Sequence, residues 1–148
     1  MKKRNKIFLG IIIILGIMQL FGPTKNIGSE DDLATFINET QPSAEVQVLL
    51  KNSCYDCHSS KTEYAWYNNI TPINYWVNHH IEEGKEELNF SEWGTYSIKK
   101  KKHKMKEISE EVEEKHMPIS SYLIMHGDAD LSDAEIKLIE DWAKAYSD

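Results

Sequence analysis

Cys54-Tyr55-Asp56-Cys57-His58 contains both cysteines of a 148-residue chain and follows the second at once with a histidine. That spacing is the signature of a c-type haem attachment site. On a helix, positions three and four apart share one face, so residues 54, 57 and 58 together meet one porphyrin edge. The two sulfurs would form thioethers with the vinyl groups, and the His58 imidazole would reach the iron as proximal ligand. A CxxC pair also serves as a thioredoxin-like redox centre, half of a zinc site, or a disulfide. Zinc would need histidines from elsewhere, because there is no second cysteine pair. A redox CxxC follows a strand, whereas the residues before Cys54 have helical spacing.

Working outward, Val46, Leu49 and Leu50 recur at helical intervals behind the start signals Pro42 and Ser43, so a helix is expected to deliver Cys54, Cys57 and His58 at its C-terminal end. Beyond the motif come Tyr64, Trp66, Tyr67, Tyr75, Trp76, Phe90, Trp93 and Tyr96. They suit the wall of a flat apolar cofactor and equally the core of a small domain. Thr71-Pro72 opens a helix with Ile73, Trp76, Val77 and His80 on one stripe, and Gly84 is expected to end it. His80, on that stripe, is a weaker candidate for the distal iron ligand, and His79 weaker still.

A third helix is expected from Ser97 to about His116, with Ile98, Met105, Ile108 and Val112 on one face. Lys99, Lys100, Lys101, Lys102, Lys104 and Lys106 crowd its first half and five glutamates its second. This order opposes the helix dipole. The lysines read as a solvated face or as a dock for an acidic redox partner or anionic lipid. Met117-Pro118 follows, and a thioether held by a helix-ending proline suits the distal position on haem iron. Met117 is therefore the expected sixth ligand, with His126 and then Met125 as rivals. Finally, Ser132 and Glu135 form a capping box, Leu131 and Ile136 a hydrophobic staple, and Ile136, Ile139, Ala143 and Tyr146 one face of a C-terminal helix. No β pattern emerges, so the fold class is all-α.

The chain divides into an N-terminal signal anchor or transmembrane helix at 1–22, a linker at 23–42 with little to give a core, and a haem-binding domain at 43–148. Ile7 to Phe21 is apolar apart from Gln19 and follows Lys2, Lys3, Arg4 and Lys6, the layout of a signal anchor. No A-x-A-like site follows, which favours an uncleaved anchor over a cleaved signal. The expected location is thus the cell (inner) membrane, single-pass, with the C-terminal domain on the extracytoplasmic, periplasmic side. Of 24 acidic and 17 basic residues, those four bases precede the apolar run. Thirteen bases against 24 acids remain, about −11, which argues against nucleic acid as a partner.

Cys54 to Ser59, Trp66-Tyr67, Ile70-Thr71-Pro72, Val77 to Ile81, Glu83-Gly84, Leu88-Asn89-Phe90-Ser91-Glu92-Trp93, Met117-Pro118 and the Leu131-Ser132 helix together resemble the bacterial haem-binding domain family, membrane-tethered and cytochrome c-like. The resemblance runs from about Val46 to Ala145, and the Leu88–Trp93 block is its most specific part. It implies a small class I cytochrome c-like fold around one covalent haem c, attached through Cys54 and Cys57 with His58 proximal. The Met-Pro of small cytochromes c maps onto Met117-Pro118. Family members also tend to carry a histidine where His126 stands, so the distal ligand stays open. Lys85 and Ser60 depart from the usual Arg and Asn.

The function expected is one-electron transfer by a membrane-anchored monohaem cytochrome c, a carrier and not an enzyme, with redox proteins as partners. The alternative is a haem-based sensor or peroxidase-like enzyme with an open or displaceable distal site. A zinc or disulfide module would be colourless.

Overall fold

The computed structural model describes residues 3–147. Lys2 of the basic start, and the outermost limits 1 and 148 of the expected divisions, lie outside them. Eight α-helices are joined by loops and short 3-10 turns: α1 (Lys3–Met18), α2 (Ala34–Thr40), α3 (Ala44–Ser53), α4 (Tyr55–His58), α5 (Ile73–Glu87), α6 (Ile98–Glu113), α7 (Ser120–Leu123) and α8 (Asp133–Ser147). Among the described residues there is no β-strand, only an isolated antiparallel bridge between Ile27 and Lys61.

Three helix starts follow from side-chain oxygens that accept the first free backbone N–H groups. Ser43 Oγ takes the Val46 N–H and Ser97 Oγ the Lys100 N–H, both at 3.2 Å. Ahead of α8, Glu135 Oε2 accepts the Ser132 N–H at 2.8 Å while Ser132 Oγ accepts the Glu135 N–H at 3.4 Å. The expected capping box is present.

The core lies where α3, α6 and α8 meet, with Leu50, Met105 and Ile139 fully buried. Burying such a side chain contributes about 1.5–3 kcal/mol. Met105, Ile108 and Val112 occupy the inner face of α6 as the periodicity predicts, but Ile98 is exposed. The lysine run of α6 is partly consumed by structure. Lys101 is buried against Glu39 at 2.6 Å, and Lys104 pairs with Glu107 at 2.6 Å.

Residues 23–42, expected to offer little core, give it Leu33 and Phe36. The Phe36 ring centroid is 4.5 Å from Phe90, 5.1 Å from Trp93 and 5.9 Å from Trp142, the last two edge-on. Trp142 Nε1–H donates to the Thr40 carbonyl at 2.9 Å, fixing α2 to α8.

The N-terminal transmembrane anchor is overturned. α1 stops at Met18 after 16 residues, and no helix among the described residues is long and apolar enough to cross a membrane. At about 1.5 Å per residue it spans about 24 Å, against about 30 Å of hydrocarbon. Gln19 marks the stop: its Nε2 donates to the Leu15 and Thr71 carbonyls at 2.9 and 3.0 Å, and its Oε1 accepts the Thr71 N–H at 2.9 Å. The polar side chain thus ties the end of α1 to the loop before α5. The expectation of a single-pass inner-membrane protein falls with the anchor.

Candidate functional site

α3 does not run through the motif as expected. It breaks at Cys54, whose φ of −128° leaves the helical region, and α4 begins as a separate turn. The Cys54 carbonyl accepts the N–H groups of Cys57 at 3.2 Å and His58 at 3.0 Å. All three motif residues therefore sit on one turn, the arrangement that their spacing predicts. α5 lies directly behind that turn. It is not ended by Gly84 but continues to Glu87, and Gly84 instead allows close contact: a Cβ there would stand 2.8 Å from the Cys57 carbonyl oxygen.

The segment after α5 holds the histidine. His58 Nδ1–H donates to the Leu88 carbonyl at 3.0 Å, which leaves the Nε2 lone pair free to bind a metal. The next residues lock that carbonyl in place. Asn89 is buried, its N–H donates to Tyr96 Oη at 3.0 Å and its Oδ1 accepts the Ser91 N–H at 3.1 Å. Ser91 Oγ accepts the Ser60 N–H at 2.9 Å, just past the motif. Phe90, fully buried, stands edge-on to Tyr55 and His58. The block Leu88–Trp93 is thus a cradle for the His58 ring.

Burial pulls the His58 pKa below the ordinary imidazole value, and hydrogen bonds to the Leu88 and Gly84 carbonyls only partly oppose it. The neutral ring is the form that ligates metal. Burial also pushes the Cys54 thiol up to about 12 and the Cys57 thiol up to about 11, the neighbouring Cys57 and Asp56 adding to the two shifts in turn. Redox CxxC centres have lowered thiol pKa values, so these thiols lack the thiolate character of that chemistry. Among the described residues no cluster of three or more His, Cys, Asp or Glu could hold a metal ion, which removes the zinc tetrahedron.

Four cavities adjoin the turn, one of about 740 Å³ that passes Tyr55 and Asp56 to Tyr122 and His126 and three smaller ones beside the cysteines. One of about 270 Å³ is lined by Cys54, His58, Phe90 and Met117. A second, about 210 Å³, is lined by Cys54, Cys57, His58, His80 and Met117. The third, about 270 Å³ and largely apolar, runs from Cys57 past Trp76, Ile119 and Met125 to His126. Buried Asn68 lines this last cavity, and its Oδ1 has no hydrogen-bond partner. A buried amide oxygen without a partner costs free energy unless a ligand satisfies it. An apolar crevice, a free imidazole nitrogen and two cysteines at one rim fit a haem, whereas the Asn68 oxygen calls for a hydrogen-bond donor.

The three distal candidates stand differently. Met117 lines two cavities with His58. His80 lines one of them, with its ring 4.5 Å from Trp76 and its Nδ1 3.3 Å from Glu83. His126 lines the third cavity and the 740 Å³ one but neither cavity that holds His58; its Nε2 bonds Tyr67 Oη at 2.5 Å and its ring stacks on Tyr122 at 4.1 Å. Binding iron through Nε2 would cost it the Tyr67 hydrogen bond.

Sequence reasoning missed several residues of the site. Asn26, in the expected linker, donates from Nδ2 to the Ser59 carbonyl at 2.8 Å and accepts Lys85 Nζ–H on Oδ1 at 2.9 Å. Asp56 accepts the Glu63 N–H at 2.8 Å and the Tyr122 hydroxyl at 2.8 Å, one on each carboxylate oxygen. Asp56 had a signal, a carboxylate inside the motif itself. Asn26 had none, because its partners are far away in sequence.

A helical domain whose CxxCH turn faces an apolar crevice defines a haem-binding protein. The chain belongs to the haem-binding domain family, which its residues 13–145 match. That match begins well before Val46, where the expected resemblance starts. No match was found among curated proteins or solved structures.

Proposed function

We propose that this haem-binding domain carries a single haem c and transfers one electron at a time. Cys54 and Cys57 would hold the haem as thioethers, each thiol S–H adding across one vinyl C=C with no leaving group. The haem supplies a one-electron iron couple. The protein supplies orientation and ligands: the Leu88 carbonyl fixes the tautomer and rotation of His58, and Met117 offers a soft donor to the other side. If His58 and Met117 both ligate the iron, no coordination site would be left for a substrate, which favours a carrier over an enzyme. Its partner would be another redox protein.

The observation that carries this reading is the sharing of one cavity by Cys54, Cys57, His58 and Met117, with His58 Nδ1 already committed to Leu88. The test is expression in a host with cytochrome c maturation machinery, followed by intact mass and spectra. The expected product is one haem mass heavier, gives a two-thioether pyridine haemochrome, and resists CO when ferrous at neutral pH. A colourless protein of unmodified mass overturns the reading; ready CO binding with a high-spin ferric band replaces the carrier with a sensor or enzyme.

A further inference from the structure

We infer that Asp56 and Tyr122 are positioning residues that clamp the distal loop over the haem turn and so hold Met117 on the iron. The inference rests on the ligand set proposed above. Met117 begins a loop that reaches Asp130 and contains only two short helical turns. Its near end is tied to α6, where the Met117 N–H donates to the Glu111 carbonyl at 3.1 Å. Opposite the haem turn it is held by the Tyr122 hydroxyl, which donates to Asp56 Oδ2 at 2.8 Å.

Asp56 is the residue between the two cysteines, so this bond runs from the attachment turn itself to the loop bearing the distal ligand. Its other oxygen holds the Glu63 N–H, which fixes the carboxylate, and its main-chain carbonyl accepts the Thr62 hydroxyl at 2.6 Å, which fixes the turn. On the loop side Tyr122 is equally fixed. His126 stacks on its ring with 5° between the planes, and Tyr67 holds His126 in turn. Tyr122 lines the same cavity as Met117 and Ile119. A hydrogen bond to a carboxylate is among the strong ones, and losing it shifts an equilibrium by roughly tenfold or more.

The equilibrium read here is displacement of Met117 by imidazole in the ferric, matured protein. Imidazole is titrated at one pH while the sulfur-to-iron absorption band is followed. Tyr122→Phe, which keeps the ring and its stacking but removes the hydroxyl, is expected to raise imidazole affinity about tenfold. Asp56→Ala, which removes the acceptor, is expected to do the same, and the double variant to fall short of the sum of the two, because both break the one Tyr122–Asp56 bond. Unchanged affinity in Tyr122→Phe, or additive effects in the double variant, overturns the clamp while leaving Met117 as ligand. Absence of the sulfur-to-iron band from the unmutated protein overturns the Met117 assignment and the clamp with it. Should Asp56→Ala not mature, Tyr122→Phe decides the question by itself.

Discussion

Gly84 and Cys57 touch through their backbones: a methyl group on Gly84 would come within 2.8 Å of the Cys57 carbonyl oxygen and 3.1 Å of its Cβ. Both contacts are to atoms that cannot swing aside. The helix α5 therefore lies against the Cys54–His58 turn at a distance that glycine alone permits.

Gly84→Ala sets two effects against each other. Helix propensity would gain about 0.5–1 kcal/mol, whereas forcing a group into a packed contact costs about 1–3 kcal/mol. The expected net result is destabilisation of about 1 kcal/mol or more, read from urea denaturation of the matured protein. A more stable variant would show that α5 can back away from the turn.

Met117→Ala is expected to abolish the weak ferric sulfur-to-iron band at the red end of the visible spectrum and to lower the reduction potential, since a thioether favours ferrous iron relative to most alternatives. An unchanged spectrum moves the ligand to His80 or His126.

Cys54→Ser is expected to leave a single thioether and to shift the pyridine haemochrome accordingly. Retention of the two-thioether spectrum contradicts the attachment.

Phe36→Ala removes a fully buried ring that touches Phe90, Trp93 and Trp142. The expected loss is about 3–5 kcal/mol in chemical denaturation. A loss below about 1 kcal/mol would mean that residues 34–40 do not belong to the core.

Glu135 gives a pH dependence. Its hydrogen bonds to the Ser132 hydroxyl and N–H lower its pKa below the usual 4.5. A lowered folded-state pKa means that the cap stabilises fully above the unfolded value and fades as pH falls through the folded one. Denaturation midpoints of wild type and Glu135→Ala are therefore expected to differ at neutral pH and to converge in acid as pH falls from 4.5 through the lowered folded-state value; a constant gap contradicts this.

Local signals carried much of this architecture. The serine starts of α3, α6 and α8, the inner face of α6 and the one-turn grouping of Cys54, Cys57 and His58 all depend on residues within a few positions of one another. What local reading missed depends on distance along the chain. Phe36 looks like one apolar residue in a polar stretch until Trp142 closes over it. Gly84 reads as a helix stop until Cys57 is seen beside it. The apolar run ending near Phe21 suggests a span, but Gln19 finds its partner at Thr71 and ends the helix at Met18. Likewise the α6 lysines look like a uniform basic face until Glu39 meets Lys101.

Because the acceptor for His58 Nδ1 is the main-chain oxygen of Leu88, no side-chain exchange at position 88 can delete it. Chain length between Gly84 and Asn89 is what matters. Adding or removing one residue there would move the carbonyl away from the imidazole, so the orientation of the His58 ring depends on the count of residues more than on their identity.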